Sequence, residues 1–102
     1  MTPTTKNNKA FISGKITGDP NYREKFAKVE AELKAKGYHV MNPAILPDGF
    51  TWEEYMVVTK AMLSVCDTTY MMDGWEDSDG AKTERIWSKT QGNTILYQTS
   101  PK

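Results

Sequence analysis

Four short apolar runs, separated by three stretches whose apolar residues recur on a helical period, constrain this chain more than anything else in it. The runs are Ala10-Phe11-Ile12-Ser13, Tyr38-His39-Val40-Met41, the segment 67–72 and Thr94-Ile95-Leu96-Tyr97. In the first helical stretch Tyr22, Phe26, Val29 and Leu33 follow at spacings of four, three and four, one apolar stripe on a 3.6-residue period. The second runs from Trp52 to about Val65, with Trp52, Tyr55, Met56, Met62, Leu63 and Cys66 as a broad inner face. The third starts at Ser78 or Asp79 and reaches about Thr90.

The boundaries carry their own chemistry. Asp19 can cap the first helix, Pro20 suits its first position, and Gly37 can end it in the left-handed conformation. Segment 42–50 reads as a loop, with Pro43, Pro47 and Gly49. Thr51-Trp52-Glu53-Glu54 has the form of a capping box, flanked by Phe50 and Tyr55 in the positions of a hydrophobic staple. Gly92 stops the third helix. The order β-α-β-α-β-α-β requires right-handed crossovers, so the expected fold class is α/β, a four-stranded parallel sheet with helices on both faces. So small a sheet leaves an edge or a helix face for a second copy to cover, so a homodimer or higher homo-oligomer is expected.

A chain of 102 residues builds one core, expected over 10–98, with polar tails at 1–9 (disordered) and 99–102. Thirteen Lys and Arg balance thirteen Asp and Glu, which argues against a nucleic-acid polymer as partner. No run approaches the roughly 20 apolar residues of a membrane span, and residues 1–9 lack the apolar centre of a signal peptide. A cytoplasmic location without membrane contact is expected. A single cysteine, Cys66, excludes an internal disulfide framework and a Cys-rich zinc site, and no metal or cofactor is expected.

Ligands of open parallel sheets sit beyond the carboxyl ends of the strands, and two loops there are rich in small and polar residues. The first, Ser13-Gly14-Lys15-Ile16-Thr17-Gly18, has neither Walker nor dinucleotide spacing, and its glycines serve either a turn or the close approach of an anion. The second runs from Asp73 through Gly74 and Trp75 to Ser78, Gly80 and Ala81, and leads to Glu84 inside the helix. Ser78 and the amides near Gly80 are placed to hold a phosphate, and small residues at 80 and 81 leave space over the Glu84 carboxylate. Glu84 has no cation three or four residues away, which weighs against a surface ion pair. The acidic run Asp73, Glu76, Asp77 and Asp79 lacks EF-hand spacing and reads as solvated. Trp75 either stacks on a nucleobase or packs its own loop. His39 has no metal-ligand or triad companion, and Cys66, Trp52, Met56, Met62, Met71 and Met72 read as packing residues.

Taken in order, Phe11-Ile12-Ser13-Gly14-Lys15-Ile16-Thr17-Gly18, Asn42-Pro43-Ala44, Trp52-Glu53-Glu54-Tyr55-Met56, Cys66-Asp67 and Gly74-Trp75-Glu76-x-Ser78-x-Gly80-Ala81-x-x-Glu84 resemble a family of short phage and bacterial proteins of unknown function. That family is similar to the nucleoside 2-deoxyribosyltransferases, and the resemblance covers residues 9–98. It implies a small flavodoxin-like three-layer sandwich. It also implies a small-molecule nucleoside or nucleotide as ligand, and N-glycosidase or deoxyribosyltransferase chemistry in which Glu84 attacks C1′ and expels the base. By the same resemblance Ser78 and the amides near Gly80 hold the 5′ end, and Gly14 lines the sugar pocket. Three positions depart from the superfamily's pattern: Phe11 stands for a tyrosine, Thr59 for an aspartate that contacts the departing base, and Lys15 for a proline. Threonine is no general acid, a role typically worth about 10²–10⁴-fold, whereas Lys15 adds a cation that favours phosphate. The pattern is therefore that of a nucleotide pocket with a reduced catalytic set, which supports binding better than turnover, and the alternative is a non-catalytic module that binds or sequesters a nucleotide.

Overall fold

Alternate residues of a strand face opposite sides of its sheet, so burial along β1 (Lys9–Ser13) shows whether both sides are covered. Ala10, Phe11, Ile12 and Ser13 are all fully buried, as in a central strand between two helical layers. Residues 8–99 are described in the computed structural model of the chain; residues 1–7 and 100–102 of the expected tails lie outside them.

The elements that follow are α1 (Tyr22–Ala35), β2 (His39–Met41), α2 (Trp52–Ser64), β3 (Thr68–Met71), α3 (Asp79–Thr90) and β4 (Thr94–Tyr97). Short 3-10 turns over Pro43–Ile45 and Trp75–Asp77 interrupt the loops. The sheet is parallel throughout, in the order β2-β1-β3-β4. α1 packs its stripe of Phe26, Val29 and Leu33 against Ala10 and Ile12 on one face. On the other face Leu63 of α2 and Cys66 just beyond it meet Phe11, with Trp87 of α3 packed beside them. The architecture is that of a small flavodoxin-like three-layer α/β sandwich.

Most boundaries follow from local chemistry. Thr51 and Glu54 form the expected capping box: the Thr51 N–H donates to Glu54 Oε1 at 2.8 Å and the Glu54 N–H to Thr51 Oγ1 at 3.1 Å. The Phe50 and Tyr55 rings meet edge to face at 5.9 Å, which closes the staple. α1 ends in a Schellman motif at Gly37, whose φ of +95° suits glycine. Its N–H donates to the Lys34 carbonyl at 3.0 Å and that of Tyr38 to Leu33 at 3.1 Å. Tyr38 is thereby part of the helix stop, and β2 begins one residue later than the apolar run. β3 is likewise shorter than 67–72, because the Asp67 carboxylate caps the start of β1 by accepting the N–H groups of Asn8 and Lys9.

Two local expectations are corrected. α1 starts at Tyr22 rather than at Pro20, because the Asp19 carboxylate turns to the Asn21 N–H (2.9 Å) and to Lys25 (2.8 Å) and caps no helical amide. Trp52 does not belong to the inner face of α2: it is 48% exposed, and Met56, Thr59 and Leu63 are the buried stripe.

Candidate functional site

The chain leaves β1 towards β2 on one side and later places β3 on the other, so the strand order reverses at β1. Connections diverge at the carboxyl ends of such a pair and open a crevice. Here the crevice is a cavity of about 940 Å³, at the upper end of the range of about 300–1,000 Å³ usual for small-molecule sites. Its walls come from four segments: the loop 14–20 after β1, the loop 43–50, the first two turns of α2, and the start of α3. Arg23 of α1 pins the second of these by donating to the Leu46 carbonyl and to Asp48, both at 3.1 Å.

Glu84 sits at the floor because of how α3 begins. The Ser78 hydroxyl accepts the Ala81 N–H at 3.1 Å and sets the first turn, so Ala81, Glu84 and Ser88 form the buried stripe. Ser88 locks the helix to the sheet: its hydroxyl donates to the Glu84 carbonyl at 2.8 Å and lies 2.7 Å from the Thr69 hydroxyl of β3. The Glu84 side chain is thereby held against the end of β1, where the Ser13 hydroxyl donates to its Oε1 at 2.7 Å. The residue is 6% exposed and, among the described residues, forms no ion pair. Burial pushes its carboxyl up to about 7, against the opposing effects of the Ser13 hydroxyl and, more weakly, of Thr59. A carboxyl so placed is split between acid and anion near neutral pH, as a group that must gain and lose a proton or form an ester requires.

Of the residues singled out from sequence, Gly14, Lys15, Ile16, Ser78, Gly80, Ala81 and Glu84 all line this one cavity. Ser13 lies beneath it, fully buried, and reaches it only through Glu84. Gly14 has a packing reason for lacking a side chain: a Cβ there would stand 3.0 Å from Met72 Cβ and 3.3 Å from Phe26 Cζ. At Gly80 a Cβ would lie 3.5 Å from both Met56 Sδ and Trp52 Nε1, an ordinary contact. Ser78 accepts one bond as a cap and keeps its own O–H to donate.

Gly74 and Trp75 do not join them. Gly74 makes the left-handed turn, φ +88°, that starts the 3-10 turn. That turn carries the Trp75 ring to β4, 6.2 Å from Tyr97 and 5.0 Å from the Arg85 guanidinium. The aromatic rings on the cavity are instead those of Tyr22, Phe50, Trp52 and Tyr55. Phe50 and Tyr55 are held together by the loop 43–50, where the Tyr55 hydroxyl donates to the Pro47 carbonyl at 2.6 Å. Thr59 had a sequence signal: Met56, Thr59 and Leu63 are spaced three and four, a hydroxyl within an apolar stripe.

The other reactive side chains lie elsewhere. Burial pushes the Cys66 thiol up to about 11, so it stays protonated as a packing group. His39 is exposed on edge strand β2. Among the described residues no three His, Cys, Asp or Glu side chains are grouped to hold a metal ion, and no helix is long and apolar enough to cross a membrane.

No curated protein and no solved structure matches the chain. Residues 8–97, which span the whole sheet and every wall of the cavity, match a protein family, and the chain belongs to that family, described as a domain of unknown function, DUF4406.

Proposed function

We propose that the protein is an N-glycosidase or deoxyribosyltransferase acting on a deoxynucleoside, with Glu84 as nucleophile. One observation carries this reading: a carboxyl without a cation partner among the described residues, enclosed at the floor of a cavity large enough for a nucleoside. The ionised carboxylate attacks C1′, the C1′–N bond breaks, and its electron pair leaves with the base, which takes a proton from water. A water molecule, or a second base, then cleaves the glycosyl ester and restores the carboxylate. Gly80 and Ala81 leave room above the carboxylate, and the rings of Trp52 and Tyr55 offer flat surfaces for a base.

The charges on the cavity favour an uncharged nucleoside over its monophosphate. Asp19, Asp48 and Asp79 line it but already face Lys25, Arg23 and Lys82, at 2.8, 3.1 and 3.5 Å. The remaining exposed charges, Lys15 and Asp77, have opposite signs. A phosphate therefore meets no net positive field, despite Lys15.

Thr59 favours a second reading, a module that binds the same ligand without turnover, because no acidic side chain on α2 faces the Glu84 carboxylate to protonate a leaving base. Chromatography after incubation with the four deoxynucleosides and their monophosphates separates the two. Free base from a deoxynucleoside, lost in Glu84→Gln, is the expected result. A thermal shift with a ligand but no base from any of them selects the binding module, and silence in both assays removes both readings.

We also propose a homodimer joined through α2. Its outward side carries Val57 and Val58, with Val65 at its C-cap, 72%, 42% and 54% exposed. Exposed valines grouped on one helix are a surface that a second copy can cover. Val57, Ala61 and Val65 are evenly spaced about the small central residue, so a two-fold axis at Ala61 sets Val57 of each copy against Val65 of the other.

A further inference from the structure

We infer that Ser13 is the positioning residue of this site: its hydroxyl holds Oε1 of Glu84 and thereby leaves Oε2 as the oxygen presented to the cavity. The assignment of Oε2 as the reacting oxygen rests on the glycosidase reading; the hold on Glu84 does not.

The geometry singles out Ser13 among the groups around the carboxyl. From β1, Glu84 faces Ser13; from α2, Thr59; along α3, Gly80, Ala81 and Ser88. The hydroxyls of Ser88 and Thr69 are taken by each other and by the Glu84 carbonyl. Thr59 also donates to the Met56 carbonyl, at 3.4 Å. Lys15, Asp77 and Asp79 share the cavity, yet no charged group bears on the Glu84 proton. The Ser13 contact joins a fully buried hydroxyl to a carboxyl that is 6% exposed, at 2.7 Å, the length of a well-formed O–H···O hydrogen bond. Among the described residues it is also the one side-chain hydrogen bond that joins β1 to α3. For a carboxyl this buried, one hydroxyl sets both the rotamer of the carboxylate and its affinity for a proton.

The test reads Glu84 directly, by ¹³C NMR of the side-chain carboxyl in the full-length protein, with Glu84→Gln to assign the signal. The wild type should titrate near 7. Ser13→Ala should titrate about one pH unit or more higher, and Ser13→Thr, which keeps the hydroxyl, close to the wild type. If the wild type releases base, the rising limb of kcat against pH should move with that midpoint. At pH 7 Ser13→Ala should then lose about five-fold in kcat from ionisation alone, with KM little changed. A Ser13→Ala midpoint equal to the wild type's, in a protein with native circular dichroism, overturns the proposal. So does a Ser13→Thr midpoint as high as that of Ser13→Ala. A wild type that releases no base defeats the glycosidase reading alone, because the NMR midpoints still decide the role of Ser13.

Discussion

Taken out of water with only hydroxyls for company, the Glu84 carboxyl holds its proton up to about pH 7, against an ordinary value of 4.5. Between those two values the folded chain binds a proton that the unfolded chain has lost. Folding stability from this group is therefore complete below pH 4.5 and declines as pH rises through 7, by about 3 kcal/mol in all. Glu84→Gln removes the titration. Urea unfolding at pH 4 and pH 8 should show the variant gaining about 3 kcal/mol on the wild type between the two conditions, with m unchanged. The absence of a cation near Glu84 was legible in the sequence, because a helix places residues three and four apart on one face. The Ser13 hydroxyl was not, since it lies 71 positions away and meets Glu84 only through the sheet.

Whole elements follow their local signals where those signals are closed within a few residues. The capping box at Thr51 involves side chains three apart, and it stands as the sequence spells it. Thr51→Ala should lower stability by about 1 kcal/mol, measured by thermal or urea unfolding. It should also loosen Trp52 and Tyr55, which follow directly on the cap and form one wall of the cavity. The same locality explains Gly37, whose two hydrogen bonds reach back only to Lys34 and Leu33. Elements depart from expectation where a distant partner competes. Asp19 gave its carboxylate to Lys25 and Asn21, so α1 starts two residues beyond Pro20. Trp52 stands on the cavity wall rather than in the core, and Met56, Thr59 and Leu63 form the buried stripe.

At the scale of the molecule, the outward side of α2 and its end expose three valines, Val57, Val58 and Val65. In the double variant Val57→Glu, Val65→Glu, both substitutions fall on exposed positions, so the fold is retained. Analytical ultracentrifugation should find the wild type moving towards dimer with rising concentration and the variant monomeric throughout; a monomeric wild type refutes the pairing. The sequence by itself determined the element order, the parallel sheet and the carboxyl-edge location of the candidate site. Periodicity and caps are local, and right-handed crossovers leave few topologies for β-α-β-α-β-α-β. It also identified seven residues that line the cavity, because glycines, a cap and an unpaired glutamate mark themselves. Only the tertiary structure decided which side chains meet. It joined Ser13 to Glu84, turned Trp75 away to Tyr97 and Arg85, and brought Trp52 in. The reason is that a cavity built from four separated segments is defined by how their loops cross in space. Such crossings leave no period and no motif in any one segment.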